Sequence, residues 1–303
     1  MLESPKGRAA LLDTATQVLT VSERTKKEWA VKKKDETVNA TWINGFLQGL
    51  REDYPNVILS NRVDGLAVTR RRPWLEKTGV WRPKEAVLLL LDLNMMAYAA
   101  EAVQTAATTP NANNTAAFEK HLIMASISIA HEMVHFMVGK IIGTSTSNTP
   151  EKVNSPPNLS KEDGEAGRFW EEKFIGRLVN AYQTTGDNNL KQGGTLWADY
   201  KRSVGAAAVM GQVSQVWVKG MLARQFATNL PIVVTDSKRA ESVRTVRDLR
   251  GAPASNSYIN TDAEFTTAFA RLAQITTRSL SGRDWVRITA LNTNPANIVV
   301  PPK

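Results

Sequence analysis

One apolar run, Ile123 to Ile142, constrains this chain more than any other feature. Its hydrophobic residues fall all round a helix and not on a single stripe, which predicts a helix buried at the centre of a fold. Thr108 to Asn114, TTPNANN, supplies an N-cap ahead of it, and Gly143 suits the left-handed position that ends a helix. The polar groups inside such a helix must find partners. Ala125, Ser128, Glu132, His135 and Gly139 fall close to one stripe with His131 at its edge, where small residues would leave room for a metal, water and substrate.

Two of the chain's three histidines stand in the string His131-Glu132-Met133-Val134-His135, the HExxH pattern. Four residues apart on a helix, both imidazoles lie on one face and can point a ring nitrogen at the same ion. Glu132 is displaced around the helix, which suits a carboxylate that polarises a water at the metal without itself binding metal. The chemistry named by this pattern is zinc-assisted amide hydrolysis; the plainer alternative is a structural pair of helix histidines. The apolar run is also long enough to span a bilayer. That reading is rejected because two histidines, Glu132 and Lys140 would be costly in lipid with no second span to shelter them.

With 303 residues the chain can form one large domain or two modest ones. Zero cysteines exclude a disulfide framework, a thiolate zinc site and a cysteine nucleophile. The N-terminus lacks the pattern of a secretory signal, so a cytoplasmic protein is favoured, with a secreted mature form left open. The net charge of +9 is spread over separate clusters, Arg24 to Lys34, Arg70 to Arg72 and Arg239 to Arg250. These read as solvated surface and disfavour nucleic acid as a partner, although Pro73-Trp74 beside the second cluster is the best argument for a phosphate contact.

Along the chain, residues 1–40 read as a helical arm, a pro-segment or a flexible end. Ile43, Phe46, Leu47 and Leu50 repeat at helical spacing and stop before Pro55. Val57 to Leu59 and Leu66 to Val68 are short strands, and Val87 to Leu93, apolar on both faces, reads as a strand covered on both sides, with a helix as the alternative. Met95 to Val103 is helical. After the loop Gly143 to Leu159, Ser160 caps a helix expected to reach about Tyr182. Beyond it, Val216 to Val218, Ile232 to Val234 and Trp285 to Ile288 read as strands, and Thr261 to Glu264 opens a further helix.

Strands followed by a buried HExxH helix is the order found in zincin metallopeptidases, and residues 80–185 resemble that superfamily. The resemblance implies an α+β fold with a small mixed sheet on the HExxH helix, an edge strand that pairs with substrate backbone, and a catalytic Zn²⁺. A catalytic zinc takes three protein ligands and leaves one position open. His121 is poorly placed, ten residues before His131, and no histidine follows His135 at metzincin spacing, so a carboxylate must complete the set. The gluzincin arrangement brings a Glu from a second helix. Glu165 is the choice, since Gly164 and Gly167 would let that helix approach closely; Glu172, a ligand or an orienting acid, and Glu171 stay open as rivals. Phe169 stands where the usual gluzincin helix carries an orienting Asp. Tyr182 and Tyr200 are candidates for stabilising the oxyanion.

The reading is therefore a zincin-like core over residues 41–185, followed by an α+β region over 186–303 that could belong to the same domain. His131, His135 and Glu165 would hold Zn²⁺, and Glu132 would serve as general base. The substrate class is a peptide or protein, with endopeptidase favoured over exopeptidase. The alternative is a catalytically idle, zincin-derived binding or toxin-like protein whose basic surface engages a partner.

Overall fold

The computed structural model describes residues 1–25, 37–60, 63, 66–71, 80–143, 149, 153, 164–184, 195–201, 209–230, 232, 234–239 and 243–245. Two helices come first, α1 (Pro5–Thr25) and α2 (Ala40–Glu52), then strands β1 (Asn56–Ser60) and β2 (Ala67–Arg71). A single turn, α3 (Pro83–Ala86), leads into β3 (Val87–Asp92), α4 (Leu93–Thr108) and the central helix α5 (Ala112–Ile142). The rest comprises α6 (Ala166–Ile175), β4 (Val179–Thr184), β5 (Thr195–Lys201), β6 (Val209–Val213), α7 (Gln215–Leu222), α8 (Phe226–Asn229), β7 (Val234–Arg239) and β8 (Val243–Thr245).

The first sheet has the order β1-β3-β2, with β1 parallel and β2 antiparallel to β3. Every residue of β3, VLLLLD, is buried, as a strand apolar on both faces requires. Val87, Leu89 and Leu91 join the main core with Phe46 and Leu47 of α2 and with Met133 and Met137 of α5. Leu88 and Leu90 alternate to the other face, where Ile58 of β1 is also buried. β2 packs on α5, and this contact positions the site described below. The second sheet is antiparallel throughout, in the order β7-β6-β5-β4-β8.

α5 is capped at both ends by the predicted devices. Asn111 accepts from the Asn114 amide at 2.9 Å, and Gly143 closes the helix at φ 76°. Among the described residues it is the one helix long and apolar enough to cross a membrane, and 67% of its apolar window is buried inside the fold. Its last turn is anchored sideways, for the Lys140 ammonium lies 4.6 Å from the Trp42 ring centre and 5.0 Å from that of Trp81.

Four expectations change. Of the three readings of the N-terminal residues, the helical one holds for α1, but the helix is packed and not a projecting arm: Leu11, Ala15 and Val18 are fully buried, and it lies against α6. α6 starts at Ala166 and ends at Gly176, whose φ of 87° turns the chain into β4, so the second helix is far shorter than a run from Ser160 to Tyr182; Ser160 itself lies outside the described residues. Val216 to Val218 belongs to α7, not to a strand. Ser214 caps that helix through the Trp217 amide at 3.1 Å, and Trp217, Val218 and Met221 share its buried face, so helical spacing outweighs the β propensity of two valines. In the Ile232 to Val234 segment, β7 starts at Val234 and Ile232 precedes it, while Val233 lies outside the described residues. The expected helix after Thr261 and strand at Trp285 lie outside the described residues.

Candidate metal site

α5 presents His131 and His135 on one face, with Nε2 of each ring 3.3 Å from the other. Two ligands about 2.0 Å from a common ion in tetrahedral geometry stand about 3.3 Å apart, so this pair is spaced to share one. The donor atoms of His131, Glu132 and His135 all lie within 4.8 Å of one another, a group able to hold a metal ion.

The Glu165 carboxylate closes on the same two nitrogens. One oxygen lies 2.8 Å from His131 Nε2 and the other 2.6 Å from His135 Nε2, both nearer than the limit that encloses Glu132. Glu165 stands outside the helix proper, as the N-cap of α6, where Oε1 also accepts from the Gly167 amide at 3.3 Å. Its main chain is fixed by neighbours: the Glu165 amide donates to Val153 O at 2.7 Å, and the Gly164 amide to Thr149 O at 3.2 Å. Two imidazole nitrogens and a carboxylate, partly shielded from water, are a donor set that suits a divalent transition metal.

Gly167 makes the approach of the two helices possible. A Cβ built at this residue would fall 2.3 Å from both Cδ2 and Nε2 of His131, far inside contact distance. The other ring nitrogen of His131, Nδ1, is 2.6 Å from Glu171 Oε1, and that carboxylate is buried. Such a partner fixes the tautomer and orientation of a ligand histidine. Glu171, read from sequence as a weaker rival for the metal, therefore has the orienting contact, and Glu172 is only partly buried. Because Glu165 is a cap and not a helical residue, counting four positions from it to Phe169 misses the acid six positions on.

Both sides of the cluster titrate away from their ordinary values. Burial alone would lower the His131 pKa, but the carboxylates of Glu165 and Glu171 outweigh it and hold the imidazolium well above the usual histidine range. Burial would raise Glu165, and the two imidazoles more than offset this, keeping the carboxyl ionised well below its usual range.

Glu132 is buried on the side of α5 that faces β2. Its Oε2 is 2.6 Å from Thr69 Oγ1, which also lies 3.0 Å from the Glu132 carbonyl oxygen; a single hydroxyl proton can serve only one of them at a time. Arg71, two residues along β2, attracts the Glu132 carboxylate, and burial pushes its guanidinium down to about 10, so it stays a cation at neutral pH. The Arg71 side chain runs over Gly139: a Cβ there would meet Arg71 Cδ at 2.7 Å. Glu132 and Gly139 of that stripe are thus covered by β2, while His135 between them faces Glu165. Gly139 makes room for an arginine, not for metal or substrate, and Arg71 leaves the solvated cluster in which the sequence reading placed it.

His121 is buried in α5, ten residues before His131, roughly 15 Å along the helix axis. Tyr182 and Tyr200 fall in β4 and β5, and their side chains lie outside the described residues. Alternation on β2 could have flagged Thr69 and Arg71 as one face, but nothing in sequence shows that α5 is what it faces. No family model, curated protein or solved structure matches the chain.

Proposed function

We propose that this protein is a zinc-dependent metallopeptidase, with His131, His135 and Glu165 as metal ligands and Glu132 as general base. The observation that carries the reading is the convergence of two imidazole nitrogens and one carboxylate within 3.3 Å of each other, beside the buried Glu132, whose carboxylate lies within 4.8 Å of both histidines. Zinc bound there would supply a Lewis acid that acidifies water and polarises a carbonyl. The protein's own part lies with its side chains. Glu165 and the histidines bring the charge and geometry that a divalent cation needs, and Glu171 keeps the His131 ring turned towards the cluster. Glu132 takes the proton of the attacking water and passes it to the leaving amine, which asks of a carboxylate only that it be ionised and within reach.

β2 gives the reading its substrate class. It pairs with β3 along one edge, and among the described residues no strand pairs with its other edge. Such an edge suits an extended peptide, whose main chain can add to the sheet while its scissile bond lies beside α5. Retention of Glu132 argues for turnover over mere metal binding, because it is dispensable to the latter.

The test is metal analysis joined to one substitution. Protein purified without added zinc is expected to carry about one Zn²⁺ per chain, lost on His131→Ala or His135→Ala. Glu132→Gln is expected to keep the metal while peptide hydrolysis falls by about 10²- to 10⁴-fold. Folded protein that binds no zinc, or equal hydrolysis by wild type and Glu132→Gln, would overturn the proposal.

A further inference from the structure

We infer that Thr69 and Arg71 are positioning residues for the general base, and that the inner face of the edge strand β2 fixes the Glu132 carboxylate in the geometry it needs for proton transfer. The inference rests on the peptidase reading and adds to it two residues outside the HExxH motif. Residues 69 and 71 are two apart on a strand and so share one face. That face packs on α5.

Thr69 makes the direct contact, with its hydroxyl 2.6 Å from Glu132 Oε2. At this distance the hydroxyl is within hydrogen-bond reach of the carboxylate oxygen. Of the carboxylate's two oxygens, one is thereby tied to β2, which leaves the other to meet a water. Arg71 acts at longer range. Gly139 is seven residues after Glu132, two helical turns on along the same face, and the missing side chain there admits the Arg71 stem. The guanidinium balances the charge of the buried Glu132 carboxylate, beside the Thr69 hydroxyl that donates to it. A substrate that pairs with β2 would thus dock on the same strand that holds the base.

The experiment uses the zinc-loaded full chain, with fluorescein-labelled casein and a mixed peptide library as substrates. Thr69→Val keeps the shape and removes the hydroxyl; kcat should fall about 10- to 100-fold with KM and zinc content little changed. Thr69→Ser restores the hydroxyl and should recover most of the loss. In a Glu132→Gln background, Thr69→Val should cost nothing further, because both substitutions disable one unit. Arg71→Met should lower kcat in the same sense and Arg71→Lys less so; if the Arg71 variants fail to fold, the Thr69 pair decides. Wild type that cleaves while Thr69→Val cleaves equally fast, or Thr69→Ser as impaired as Thr69→Val, overturns the inference alone. Zinc-loaded wild type that cleaves neither substrate overturns the peptidase reading, and the inference with it.

Discussion

Replacing Gly167 by alanine adds one methyl group and tests whether the two helices meet as tightly as their contacts require. The new carbon would sit 2.3 Å from Cδ2 and Nε2 of His131. Ordinary carbon contacts begin about 3.5 Å apart, so ring and helix must separate by roughly 1 Å or more. A free side chain could swing away, but this ring is held at Nδ1 by Glu171 and at Nε2 by Glu165. Overpacking a tight contact costs about 1–3 kcal/mol, which for a chain of this size lowers Tm by about 2–12 °C. Because the displaced atom is the metal-facing nitrogen, the same strain should weaken zinc binding about 5- to 100-fold at 1.4 kcal/mol per decade. Calorimetric melting and competitive zinc titration against a chromophoric chelator read the two effects separately. An alanine variant with wild-type Tm and wild-type affinity would refute the claim that α6 rests on the His131 ring.

Glu165→Ala should abolish high-affinity zinc binding, whereas Glu171→Ala should keep the metal with affinity weakened about 10- to 100-fold, as loss of an orienting partner typically does; chelator competition ranks the two, and the reverse order would exchange their roles. The metal-free protein should also show a distinctive stability profile. His131 has its pKa raised in the folded state, so its contribution is complete below the ordinary value of 6.5 and is lost as pH climbs through the raised one. Glu165 is lowered, so its share is complete above 4.5 and is lost as pH falls through the lowered value. Stability from this cluster should therefore peak between pH 4.5 and 6.5, and chelator-treated protein with a Tm that keeps rising up to pH 8 would contradict the assignment. Phe136 is fully buried in the core cluster, and Phe136→Ala should cost about 3–5 kcal/mol in chemical denaturation whether or not metal is present.

Helical periodicity made the centre of this protein legible. The caps at Asn111 and Gly143, the burial of α5 and the shared face of His131 and His135 all follow from patterns local to some thirty residues. β3 was legible as a short run apolar on both faces, which suits a covered strand, and the pairing with β1 and β2 decides it against a helix. What failed was local too. Val216-Trp217-Val218 looks like a strand until Ser214 and Met221 are taken with it, and α1 looks like a weak arm because alanines and a threonine make up much of its buried face. Glu165 does lie against the two histidines, but as the N-cap of α6 and not from within the long helix that Ser160 would open. Thr69 lies 63 residues from Glu132, and no periodicity links them.

Glu165 owes its place to two main-chain hydrogen bonds, from its own amide to Val153 and from that of Gly164 to Thr149. Amide and carbonyl groups are common to nearly every residue type, so these two bonds do not themselves dictate the letters at 149, 153 and 164; what restricts Val153 is its burial in the core. His131, Glu132, His135 and Gly167 have no such latitude, because ring nitrogens, a carboxyl group and a missing side chain cannot be borrowed from the backbone. Descendants of this chain would then keep a short helical signature and a lone glycine while the intervening sequence diverged freely, and a distant cousin would be known by how its chain folds back on α5 long after the spelling had changed.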